Sequence, residues 1–147
     1  MSRVFAAILG FAVGAGAFVT TQAQPARRYI NPRSAADAAN ATQPPFSGAV
    51  LVGDTLYLSG MLGTGDTAEA AAKGVLTSMQ STLKQAGMTM DDLVSVQVFC
   101  PDVASYDAFN KVYRTFFTRE FPARAFLGSG TLLNNARFEV QGIAVRR

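Results

Sequence analysis

From position 49 onward the chain switches between two hydrophobic periods. "AVLV" and "TLYLSG" are short runs rich in strand-forming residues on either side of Gly53-Asp54, and a Gly at the first central position of a two-residue loop suits a type II′ hairpin. Helical spacing then takes over at Leu76, Met79, Leu83 and Ala86. Asp66 followed by Glu69 reads as the capping box that opens this helix, and Gly87 as the C′ residue that ends it. "LVSVQVFC", Leu93–Cys100, is a predicted strand, stopped by Pro101. A second helix is predicted from near Ser105, with Tyr106, Phe109, Tyr113, Phe116 and Phe117 on one stripe, which reads as core. Pro122 breaks it, and two final strands are predicted over residues 124–129 and 137–147.

The predicted order is therefore β-β-α-β-α-β-β. It implies an α+β fold with two helices on one face of a mixed sheet. The opposite face then has nothing within the chain to cover it, and self-association is the natural way to bury it.

Composition agrees with one globular domain: 147 residues, 49% hydrophobic and 16% charged. The first residues stand apart from it. Arg3 precedes the apolar run "VFAAILGFAVGAGAFV" and then "TTQAQ", the arrangement of a secretory signal peptide, expected to be cleaved after Ala23. The run is short for a membrane span, so a mature, exported, periplasmic chain without a membrane anchor is expected, the alternative reading being an uncleaved N-terminal anchor, since Arg3 alone makes a weak n-region. Residues 24–45, rich in Pro, Ala and Asn, read as an arm leading into a domain at 46–147.

Charge narrows the partners. Cleavage removes one Arg and no acid, leaving a net charge of +2, too small and scattered to argue for nucleic acid. With no His and the single Cys100, the chain can form no internal disulfide, no His-based triad and none of the usual zinc sites. Acid–base chemistry must rest on Asp, Glu, Lys, Tyr or water.

One segment poses a chemical question. In "EFPARAFLGSG", Arg124 is the only charge between Glu120 and Arg137, and a guanidinium on so apolar a stretch is costly to bury without an anion. If the last two strands pair antiparallel about a turn near Thr131, Glu139 falls opposite Arg124, on the polar face that Glu139 shares with Gln141. A one-residue slip would reverse that face. The pair reads either as a structural ion pair or as a site in which Arg124 holds a ligand carboxylate and Glu139 handles a water.

"PPFSGAVLVGDTLYLSG", "DLVSVQVFCPDVASYDAFNKVYRTFF", "FPARA" and "FEVQGIAVRR" resemble, in content, order and spacing, the RidA family (YjgF, or UK-type reactive-intermediate deaminases) from Phe46 to Arg147. The resemblance implies a chorismate-mutase-like fold, a homotrimer with ligand clefts between subunits, and hydrolysis of enamines and imines of small 2-imino acids to 2-keto acids and ammonia. It implies no metal and no organic cofactor. Carried over by position, Arg124 would grip the substrate carboxylate and Glu139 would set the attacking water. Ser59 and Gly60 would line the cleft, Asn110 would support it, and the backbone at Phe126 would add a polar contact. Two positions depart from the family pattern: Phe46 stands where many members carry Tyr, and Phe126 replaces a small residue or Cys, which should narrow or reshape the pocket.

Three functions follow from these readings. The first is an exported imine deaminase. The second is a binding module that captures a small carboxylate and catalyses nothing. The third, a ribonuclease, is disfavoured by the absence of a His pair and of a basic groove lined with aromatics.

Overall fold

The computed structural model describes residues 25–30 and 46–147. The signal peptide expected at 1–23 and most of the arm at 24–45 lie outside the described residues. Among the described residues no helix is long and apolar enough to cross a membrane.

Among the described residues six strands form one mixed sheet: β1 (Arg27–Ile30), β2 (Ala49–Val52), β3 (Thr55–Gly63), β4 (Leu93–Cys100), β5 (Ala123–Gly128) and β6 (Phe138–Val145). Their spatial order is β1-β2-β3-β6-β4-β5. The α+β fold with two helices on one face of a mixed sheet is as predicted. Helix α1 (Ala68–Gln85) and helix α2 (Tyr106–Tyr113) cover that face over a core that includes Leu76, Met79, Val96, Val98, Phe109, Phe138 and Val140.

Local signals fixed several elements. Gly53 carries φ 57° at the tip of the β2–β3 hairpin, and Gly87 carries φ 75° just past α1. Strand β4 keeps its predicted bounds because Val96, Val98 and Cys100 alternate with more exposed neighbours.

Other expectations need correction. The helix α1 cap is Thr67, not Asp66: the Thr67 hydroxyl accepts from the Ala70 N–H at 3.1 Å. The arm contributes a strand, β1, whose Arg27–Ile30 pairs antiparallel with β2 as the sheet edge.

The largest correction concerns the last two strands, which are not neighbours. After α2 the chain returns parallel to β4, pairing Arg124 with Val96, and β6 then inserts antiparallel between β3 and β4, pairing Glu139 with Phe99 and with Leu62. A strand–helix–strand crossover places its second strand parallel to the first, so β5 takes the free edge of β4. The β5–β6 connection must therefore pass over β4, and it bends through Asn134 and Asn135, both at positive φ.

Candidate functional site

The corrected topology separates Arg124 from Glu139. Arg124 and Phe126 share the face of Val96 and Val98, beneath the helices, whereas Glu139 alternates with the buried Phe138 and Val140 and so faces the open side. Two strand spacings and a three-residue offset put their Cα atoms roughly 14 Å apart. The expected cross-strand ion pair does not exist within one chain.

Arg124 instead enters a pocket of about 260 Å³ lined by Tyr106, Asn110, Tyr113, Arg114, Phe121, Pro122 and Arg124 itself. Its Nη2 donates to Asn110 Oδ1 at 2.6 Å. Its guanidinium carbon lies 4.6 Å from the centre of the Tyr113 ring and 5.8 Å from those of Tyr106 and Phe109. Ring faces and an amide oxygen hold the cation by its quadrupole and dipole attractions without neutralising it. Among the described residues no carboxylate pairs with it, the ion pairs there being Arg146–Asp54 and Arg147–Asp92. The pocket wall carries hydrogen-bond donors, two Arg among them, and no acid.

Asn110 is 7% exposed, so it is not a helix-surface residue. Phe126 does not line this pocket. Its ring packs edge-on beneath Tyr106 (centroids 5.1 Å) and against Phe109 (5.7 Å), so it shapes the site by holding the Tyr106 wall.

The remaining candidates gather at a second place. Phe46, 55% exposed, lines a groove of about 270 Å³ with Gly48, Ser59, Gly60, Met61, Leu62, Ser78 and Thr82. Ser59 is fixed by both ends: its hydroxyl donates to Ser47 O at 2.6 Å and its N–H to Gly48 O at 3.0 Å. Strand β3 bulges between Leu58 and Met61, which presents Gly60 to the Glu139 side chain. A Cβ at Gly60 would overlap Glu139 Oε1 and lie 3.0 Å from its Cδ. Glycine here is what lets the carboxylate rest against the strand. Among the described residues this carboxylate has no ion-pair partner.

The seven sequence candidates thus form two groups on one chain: Arg124, Asn110 and Phe126 under α2, and Phe46, Ser59, Gly60 and Glu139 around the β3 bulge. Tyr106, Tyr113, Arg114 and Phe121 were missed as site residues. A signal for the first two existed, because Tyr106, Asn110 and Tyr113 stand at i, i+4 and i+7, a helix stripe with a polar residue at its centre.

Among the described residues, fold and site together define an α+β sheet protein with one open face and an unneutralised guanidinium in an aromatic, acid-free pocket. The Endoribonuclease L-PSP family model matches residues 36–146, and the chain belongs to this family, the YjgF/RidA/UK114 proteins. It is 37% identical over 116 residues to the 2-iminobutanoate/2-iminopropanoate deaminase of Dermatophagoides farinae, spanning 71% of this chain and 90% of that protein. It is 33% identical over 111 residues to the human protein of the same name, spanning 69% of this chain and 80% of that protein. Among solved structures, RidA from an Antarctic Psychrobacter matches with a TM-score of 0.68 and 27% identity, over 75% of this chain and 95% of that one.

Proposed function

We propose that this chain is an exported RidA-type deaminase that hydrolyses small 2-imino acids, and the enamines in equilibrium with them, to 2-keto acids and ammonia. The observation that carries this reading is the Arg124 pocket, where among the described residues a guanidinium meets no anion in a wall without acids. A 2-imino acid brings the missing carboxylate, which a guanidinium holds through two parallel hydrogen bonds.

Water must then be delivered to the imine carbon. Glu139 is the carboxylate the sequence offers, but within one chain the sheet stands between it and Arg124. The reading therefore includes a homotrimer, in which the Arg124 pocket of one copy meets the Glu139 and Gly60 region of the next, across the uncovered sheet face. In such a cleft Glu139 takes a proton from water as its oxygen bonds to the imine carbon. Glu139 hands that proton to the nitrogen, giving a neutral carbinolamine; the carbinolamine hydroxyl proton then passes by way of Glu139 to the amine, and the C–N bond breaks as the C=O bond forms, releasing ammonia and the 2-keto acid.

The test is an assay that generates 2-iminobutanoate in place and measures ammonia and 2-oxobutanoate. Arg124→Ala and Glu139→Gln should each abolish turnover, the first through binding and the second through the chemical step. Mixing the two dead variants under conditions that exchange subunits should restore about a quarter of the wild-type sites, since each site needs one intact side chain from each of two copies. No recovery on exchange would rule out the shared cleft. If carboxylates raise the melting temperature through Arg124 but no imine releases ammonia, the protein is the binding module instead. Export is tested separately: the periplasmic protein should begin at Gln24, by intact mass.

A further inference from the structure

We propose that the Tyr113 hydroxyl is a second hydrogen-bond donor to the carboxylate that Arg124 anchors, making Tyr113 a substrate-binding residue. The inference rests on the carboxylate-binding part of the function proposed above.

Tyr113 sits on the same wall as Arg124 and is 4% exposed. Its ring packs against Phe109 (centroids 5.6 Å) and Phe117 (4.7 Å) and stacks on the Arg124 guanidinium. Phenylalanine would serve all of that packing. The hydroxyl, by contrast, is closed off from solvent and meets no hydrogen-bond partner among the described residues. Buried polar groups are nearly always paired, and an unpaired one lowers stability, so a hydroxyl kept in this position calls for a partner that arrives from elsewhere.

The ligand chemistry supplies one. A carboxylate offers about four lone-pair directions, of which a guanidinium fork takes two, leaving room for a phenol donor on the same oxygens. Burial pushes the Tyr113 pKa up to about 12, against the opposing pull of Arg124, so the group keeps its proton and remains a donor at any ordinary pH. Phe121 lies over the Tyr113 ring, centroids 6.2 Å apart and nearly parallel, and is 55% exposed. It lines the same pocket, so it is an exposed side chain beside Tyr113 that an entering ligand meets.

Tyr113→Phe removes the hydroxyl and keeps the ring. Two experiments decide the assignment: the Kd of 2-oxobutanoate by calorimetry, and the KM and kcat for 2-iminobutanoate generated in place. Both Kd and KM should rise roughly 10- to 100-fold, the loss expected for one hydrogen bond to a charged group, with a smaller change in kcat. The melting temperature of the unliganded variant should stay level or rise, because only an unpaired buried hydroxyl has gone. Unchanged Kd and KM in a wild type that does turn over imine would overturn the Tyr113 assignment alone. A weakened Kd accompanied by a lower melting temperature would overturn it too, by assigning the hydroxyl a structural role. A wild type that binds 2-oxobutanoate but releases no ammonia would sink the deaminase reading and leave Tyr113 to be judged on Kd. A wild type that binds no carboxylate would overturn both.

Discussion

Adding one methyl group at Gly60 should separate catalysis from stability. In Gly60→Ala the new Cβ would overlap Glu139 Oε1 and stand 3.0 Å from Cδ and 3.2 Å from Cγ. Apolar contacts are optimal at about 3.5–4.0 Å, so the side chain must give way. What gives is the free end of a half-buried Glu rather than backbone, so the carboxylate swings aside by about 1 Å or more, and the rotamer and packing strain costs only about 1 kcal/mol. For a domain of this size that is a fall of roughly 3–5 °C in melting temperature. A reacting group misplaced by about 1 Å costs on the order of 100-fold in rate. Imine hydrolysis should therefore fall about 100-fold in kcat/KM while the protein stays folded at 37 °C. The control is ligand binding: if the methyl acts only through the Glu139 carboxylate, the Kd of 2-oxobutanoate, which Arg124 sets, should stay within about twofold of wild type. Wild-type kcat/KM in Gly60→Ala, or a Kd weakened in step with the lost turnover, would refute this reasoning.

The opposite outcome is expected three residues on. A Cβ at Gly63 would fall 2.8 Å from the Ala71 carbonyl oxygen and 3.2 Å from Val75, both on α1, so Gly63→Ala should cost about 2–3 kcal/mol by chemical denaturation while folded protein keeps its turnover. Acid sensitivity should trace in part to Asp91, which accepts from the Thr118 hydroxyl and, at 2.9 Å, from the Thr118 N–H, and is held below the ordinary value of 3.8 mainly by that hydroxyl. A carboxylate with a depressed folded-state pKa adds stability above its unfolded value and loses it as pH falls through the folded one. The gap between the melting temperatures of wild type and Asp91→Asn should therefore hold from pH 7 down to about pH 4 and close only as pH falls through the folded value, below 3.8; a gap unchanged at about pH 2 would argue against the assignment.

Much of the local structure was legible from the chain. The alternation in Leu93–Cys100 set β4, the spacing of Leu76, Met79 and Leu83 set α1, and Gly53 and Gly87 marked turns that need positive φ. These are short-range preferences, settled by each residue and its near neighbours. Of the seven candidate residues, Arg124 and Glu139 are read from charge and spacing, and the other five come from the family resemblance. Even the face of Arg124 left a trace: it alternates in register with Phe126, an apolar residue that belongs on the covered side.

What the sequence could not decide was which strand lies beside which. Antiparallel pairing of the last two strands satisfied the local pattern, but the α2 crossover placed β5 parallel to β4, and β6 filled the gap between β3 and β4. Pairing is a choice among distant partners, made by burying Val98, Phe109 and Phe138 in one core, and no window of sequence contains that energy. The same choice put Arg124 under α2 beside Asn110 and Tyr113, and Glu139 on the open face against Gly60. The chain by itself determined that an Arg and a Glu would be present. Only the tertiary structure decided that a single copy holds them apart, because a sheet presents alternate residues to opposite faces.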